Sequence, residues 1–292
     1  MATRENFQKM HMIRIPLHSF VRVLLLAAVM VTGSARAAET VRPAFAGDVG
    51  ARNLAWPANL VILPLGDSIT FGARGADAGY RGPLYRLLVS AGATVHFAGS
   101  STANFGVKTL PQDQWHNEGH GSYAIDDVFK NLDGFDDTIF KRHGGADRDP
   151  NGGHWLTGIS SGPNARPPLH PDIILLMIGT NECAKPDGAP ERLEKLVSKL
   201  IAMRPKARLI IARIPPRTTS AADQNFTIGY NRSVDALVAK YAANPRISKV
   251  DMHTDFPAGG LSGDKIHPND IGFNWIAEQW FRAVQAAAAS MP

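Results

Sequence analysis

The chain is poor in cysteine. Cys183 is its single thiol in 292 residues, so no internal disulfide can form and stability must come from a packed core. Charge of one sign is also scarce once the N-terminus is set aside. The formal net charge is +5, but residues 1–37 carry five basic residues and one acid. The remainder holds 26 basic and 25 acidic residues, which excludes a polyanion-binding footprint and argues against nucleic acid as a partner. No apolar run is long enough to cross a bilayer comfortably. Internal repeats, heptads and low-complexity tracts are absent too.

What is present begins with an export signature. Arg4, Lys9 and Arg14 form a basic start, Val23–Val31 is uninterruptedly apolar, and Ala35-Arg36-Ala37 is a small-x-small cleavage site. Residues 1–37 are therefore expected to be a signal peptide, with the mature chain exported to periplasm or medium and not inserted in a membrane. Residues 38–58 read as a linker and 59–290 as one domain. The 44% apolar and 20% charged fractions suit a globular core.

Within that domain, strands and helices alternate. The apolar runs 60–65, 94–98, 172–178, 208–214 and 246–251 predict five strands. Helical spacing is expected over 82–91, 124–132, 189–203, 225–243 and 268–289, with Pro190 and Pro268 at first-turn positions. Such alternation predicts right-handed βαβ units, an α/β fold and a parallel five-stranded sheet with helices on both faces. Residues 133–170 break the pattern. They are rich in Gly, Pro, Asp and Asn and read as a long structureless insert.

The chemistry concentrates at strand ends. The first strand runs into Gly66-Asp67-Ser68-Ile69-Thr70, a serine in a tight turn at the sheet edge where ligands bind in such folds. A serine needs a base, and the base needs an orienting acid. Asp264-Lys265-Ile266-His267 supplies both, and Pro268 biases His267 to extended backbone just before a helix. The strand 172–178 delivers Asn181 to the same edge as an oxyanion donor beside the Ser68 amide. A third donor is expected from a glycine after the second strand: Gly119, with Gly99 and Gly121 as alternatives.

Together these blocks resemble the GDSL/SGNH hydrolase superfamily over residues 60–290. Gly79-Tyr80-Arg81 and the run from His116 to Tyr123 resemble its carbohydrate-esterase branch, typified by acetyl xylan esterases. The resemblance implies a three-layer α/β/α sandwich, flavodoxin-like in layout, and metal-free ester hydrolysis through an acyl-serine. It assigns Ser68 as nucleophile, His267 as base, Asp264 as orienting acid, and Gly119 and Asn181 as oxyanion donors. Asp67 and Tyr123 are expected to touch substrate. The chain departs from the family at Glu182, where Asp is usual, at Asn117, which interrupts His-Glu-Gly, and at Tyr123, which replaces Trp. The lipase elbow G-x-S-x-G is absent, which disfavours the α/β-hydrolase fold.

Other readings compete locally. Asp147, Asp149 and Asn151 match the front of a calcium loop, but Gly158 stands where its bidentate acid belongs. His116, His120, His143 and His154 are too irregularly spaced for a zinc site. Trp115, Tyr123 and Trp155 could form a sugar platform or pack locally, whereas Trp275 and Trp280 read as core. No cofactor is expected. The partner is an ester substrate, small or polymeric; a short-chain ester on carbohydrate is the first expectation. A lipid or thioester hydrolase, and a non-catalytic glycan-binding module, are the alternatives.

Overall fold

The structure, a computed structural model, describes residues 56–135 and 152–291. The expected leader, most of the linker and the calcium-loop residues Asp147, Asp149 and Asn151 lie outside the described residues.

Six parallel strands form one sheet: β1 (Leu60–Gly66), β2 (Val95–Phe97), β3 (Glu118–Gly119), β4 (Ile173–Met177), β5 (Arg208–Arg213) and β6 (Ile247–Asp251). The order is β2-β1-β4-β5-β6, and β3 pairs with the end of β1 through Leu65 opposite Glu118 and Gly66 opposite Gly119. The two central runs, LVILPLG and IILLM, are apolar almost throughout because both sheet faces are covered. Alternate residues serve opposite cores. Leu63, Leu65, Ile174 and Leu176 join one apolar cluster with α3 (Ile125–Asn131), α4 (Ala189–Met203) and α5 (Ala221–Lys240). Leu60, Ile62, Ile173 and Leu175 join the other with α2 (Arg81–Ser90) and α6 (Asp270–Ala288). The result is the expected three-layer α/β/α arrangement.

Pro64 lies inside the central strand β1, where a missing N–H would ordinarily break the ladder. The structure shows why it is tolerated. The Leu60 amide donates to Thr94 and the Ile62 carbonyl accepts from Ala98, so even-numbered residues of β1 face β2. At Pro64 that side falls in the interval between Phe97, where β2 ends, and Glu118, where β3 begins.

The predicted elements are found with small shifts. Helix α5 starts at Ala221, four residues early, because the Ser220 hydroxyl accepts from the Asp223 amide and caps it. Helix α6 starts after Pro268, at Asp270, capped by Asn269, whose side chain accepts from Ile271 and Gly272. Four short elements are additions: the two-residue β3, a single helical turn, α1 (Ser68–Phe71), directly after β1, and the 3₁₀ turns Gln112–Gln114 and Thr180–Ala184.

The insert needs correction. Its described second half is not structureless: Trp155 is fully buried and its carbonyl accepts from the Leu169 amide, so the chain re-enters the core before β4. Among the described residues no helix is long and apolar enough to cross a membrane.

Candidate active site

The close packing of β1 on β4 aims the serine turn. A Cβ on Gly66 would stand 2.1 Å from the Met177 carbonyl oxygen, so only glycine lets the strand end so near its neighbour. Asp67 then caps α1, its Oδ1 accepting from the Ile69 amide at 2.9 Å. Ser68 becomes the first helical residue, a position whose N–H has no partner within the helix.

The base arrives from the other end of the chain, 199 residues away. Ser68 Oγ lies 2.8 Å from His267 Nε2, and His267 Nδ1 lies 2.8 Å from Asp264 Oδ2. The loop that presents them is built by the aspartate itself. Its Oδ1 accepts from the amides of Ile266 at 3.0 Å and His267 at 2.9 Å and from the Ser262 hydroxyl at 2.8 Å. The Ser262 amide donates back to the His267 carbonyl at 2.8 Å. Partial burial acts to raise the Asp264 pKa, but the His267 and Ile266 amides, the imidazole and the Ser262 hydroxyl outweigh it and hold the carboxyl well below its ordinary range. An ionised Asp264 can only accept, so Nδ1 carries the proton and Nε2 is left to take one from Ser68.

This chain of contacts opens into a cavity of about 650 Å³, lined by Ser68 and His267 with Arg74, Asn104, Gly121, Ser122, Asn181 and Arg217 among others. Asn181 sits in a short 3₁₀ turn after β4, and its Nδ2 donates to the Tyr123 carbonyl at 2.9 Å. That bond uses one of two amide hydrogens and fixes the direction of the other. Upstream, the Tyr230 hydroxyl donates to the Ile178 carbonyl at 2.8 Å and holds the strand end.

Three expected site residues, and one of the two alternative glycines, do not face the cavity. Gly119 is buried in β3, its N–H donating to Asn117 Oδ1 at 2.9 Å, so it cannot face an oxyanion. Gly99 is packed on the Asn117 backbone. Gly121, named as an alternative, is the glycine that lines the cavity. Tyr123 does not offer its ring to substrate: it is 2% exposed and stacks on His120 at 4.7 Å. Trp155 is fully buried and stacks on His120 at 5.0 Å, so neither ring is a sugar platform. Asp67 is fully buried behind Ser68 and serves as a cap. Burial pushes its pKa up to about 6, against the Ile69 amide, the nearby His267 and Thr180, which act to lower it.

The unusual Glu182 has a local explanation. Its longer side chain reaches the α3 amide of Ile125 at 2.8 Å and Arg192 Nε of α4 at 2.9 Å, tying the Asn181 turn to two helices. Cys183, half-buried, donates its thiol to the Thr180 carbonyl, and burial raises its pKa, which suits a packing role. No group of three or more His, Cys, Asp or Glu able to hold a metal is found among the described residues. Sequence reasoning missed Arg74, Asn104, Ser122 and Arg217. Ser122 lies in the run from His116 to Tyr123 but has no expected role there; the other three sit in no motif, and the cavity gathers them from separate loops.

Comparisons with known proteins bear on the family and the fold. The profile of the GDSL-like Lipase/Acylhydrolase family matches residues 97–274, a stretch that holds Asn181, Asp264 and His267, with Ser68 upstream of it. A multidomain esterase from Ruminococcus flavefaciens is 28% identical over 240 residues, which cover 77% of this chain and 28% of that protein's length. The chain thus spans well under a third of that relative. Among solved structures, the family 3 carbohydrate esterase of Clostridium thermocellum superposes with a TM-score of 0.57 at 22% identity, over 80% of this chain and 100% of that one. That of Talaromyces cellulolyticus gives 0.59 at 18% identity, over 80% and 100% respectively. At such identities the likeness is one of fold. The profile match spans more than half of the chain, and with it the chain belongs to the GDSL-like lipase/acylhydrolase family.

Proposed function

We propose that this protein is a serine esterase that removes short acyl groups, of the acetyl type, from a carbohydrate, and that it acts outside the cytoplasm. The observation that carries the chemistry is the unbroken contact from Ser68 Oγ through the His267 ring to Asp264, 2.8 Å at each step, opening on a cavity.

Ser68 Oγ attacks the ester carbonyl carbon while its proton passes to His267 Nε2. The carbonyl oxygen becomes an oxyanion, met by the Ser68 amide, the free Asn181 amide hydrogen and the Gly121 amide. The tetrahedral intermediate collapses, the alcohol leaves with the proton from His267, and an acyl-serine remains. Water, deprotonated by His267, then releases the acid and restores Ser68. Asp264 holds the Nδ1–H tautomer and stabilises the imidazolium formed in each half.

The cavity wall is mixed: Arg74, Asn104, Ser122, Asn181 and Arg217 give it polar groups beside the apolar Phe71, Phe105 and Ile266, so a chain-length series, not the lining, decides the acyl preference. The Ruminococcus flavefaciens relative and the family 3 structures are named as esterases and carbohydrate esterases, which favours a sugar as the acyl carrier here. Export rests on the leader signature of residues 1–37.

Ser68→Ala tests the reading. Hydrolysis of p-nitrophenyl acetate should vanish while the circular dichroism spectrum is unchanged; persisting hydrolysis would sink the mechanism. A series from acetyl to decanoyl esters should peak at the short end, and a peak at long chains would favour a lipid hydrolase instead.

A further inference from the structure

The charged side chains that line the cavity are two arginines, Arg74 and Arg217, and no Asp or Glu is among its lining residues. Each arginine has a carboxylate partner behind it, Asp264 and Asp223 respectively.

The two arginines differ in what they have left to give. Arg217 is already engaged: Nε donates to Asp223 Oδ2 at 3.0 Å and a terminal nitrogen to the Thr180 carbonyl at 3.4 Å. Its side chain is 18% exposed. Asp223 offsets its charge, and these contacts hold it beside the Asn181 turn. Arg74 is 63% exposed and meets Asp264 Oδ2 through Nε alone, at 3.3 Å. Its terminal nitrogens make no hydrogen bond among the described residues, so the outer edge of the guanidinium is available to a ligand.

The backbone ties this arginine to the nucleophile. The amides of Gly72 and Ala73 both donate to the Ser68 carbonyl at 3.0 Å, and Gly75 donates to Gly72 at 3.1 Å. Arg74 lies inside that turn at φ +72°, a left-handed conformation unusual for a residue with a side chain. Such conformations persist where the surroundings impose them, and often at binding sites. The turn thus fixes the Arg74 backbone close to Ser68, and its Nε contact with Asp264 leaves the outer guanidinium edge free.

We infer that the cavity selects esters whose carrier bears a carboxylate, a uronate-type sugar near the acylated one, and that Arg74 binds that carboxylate. The inference rests on the acyl-serine esterase reading and adds the charge of the carrier. A guanidinium edge suits a carboxylate because two parallel N–H donors match its two oxygens.

The test compares an acetylated oligosaccharide containing a free uronic acid with the same compound methyl-esterified at that carboxyl, alongside p-nitrophenyl acetate. The readout is the ratio of kcat/KM for the acid to that for its methyl ester. A ratio cancels any loss of rate that an Arg74 variant causes through Asp264. The ratio should be about tenfold in the native protein, the scale of one charge-assisted hydrogen bond. It should shrink toward unity as salt is raised to about 1 M. Arg74→Gln should collapse it, and Arg74→Lys should keep part of it. A native ratio near unity with both sugars cleaved would overturn the inference and leave the esterase reading standing, as would a ratio untouched by Arg74→Gln. Cleavage of p-nitrophenyl acetate with neither sugar cleaved overturns the carrier class alone. Loss of all three activities overturns the esterase reading and this inference with it.

Discussion

Among the described residues two carboxylate–imidazole pairs occur, and one of the two is placed to do chemistry. Glu118 and His120 meet at 2.9 Å with both side chains fully buried. Asp264 and His267 meet at 2.8 Å with 26% and 19% of their side chains exposed. The contact is nearly the same; the far side of each ring differs. His267 turns Nε2 to a hydroxyl and an open cavity. His120 is flanked by Tyr123 and Trp155, and its Nδ1 has no hydrogen-bond partner among the described residues. An acid beside an imidazole is therefore not a base until the other nitrogen has something to deprotonate and somewhere to send it.

Substitutions can break this contrast, beginning with the largest effect. His267→Ala should lower kcat on an aryl acetate by about 10⁶-fold, as severe as losing the nucleophile, because the three residues act as a unit. Asp264→Asn should fall about a hundredfold short of that, since the carboxylate orients and does not react. Asn181→Ala should lose about 10²–10³-fold in kcat, the scale of one oxyanion donor. His120→Phe should keep kcat within the same order of magnitude as the native protein. It takes the imidazole contact from a buried Glu118 oxygen and should reduce stability by about 1–3 kcal/mol, read as a lower urea midpoint. Activity lost in His120→Phe without loss of stability would erase the distinction between the pairs.

A smaller effect separates the two aspartates flanking the reaction. Asp264 holds its charge well below its ordinary range, so its contribution to stability is present above that range and is lost as pH falls through its folded pKa. Asp67 runs the other way. Its pKa rises from 3.8 to about 6 on folding, so the native state binds more protons between those values. Stability from this group should fall as pH rises from about 4 to about 6, by no more than roughly 3 kcal/mol. Asp67→Asn keeps the cap and should flatten that fall in urea titrations taken at successive pH values.

Much of this was legible in the sequence. The apolar runs of β1 and β4 need no tertiary information, because burial on both faces writes itself as continuous Leu and Ile. Ser68, Asn181, Asp264 and His267 stand directly beside regular elements, and the alternation of strands and helices brings those loops to one edge. Gly119 was misplaced because a glycine-rich loop does not announce which glycine is spent on strand pairing; β3 is two residues long and leaves no periodic trace. Tyr123 and Trp155 were ambiguous because their burial depends on both rings stacking on His120, a contact that joins segments far apart in sequence. Arg74 gave no signal, since its position follows from a left-handed turn that its own residue type disfavours.

The most direct test of the account is covalent trapping. The purified protein would be treated with a p-nitrophenyl phosphonate ester and its peptides mapped by mass spectrometry. One phosphonyl group should be found, on Ser68, with labelling abolished in Ser68→Ala and slowed in His267→Ala. Stoichiometric labelling at another residue, or esterase activity that survives while Ser68 stays unlabelled, would contradict it.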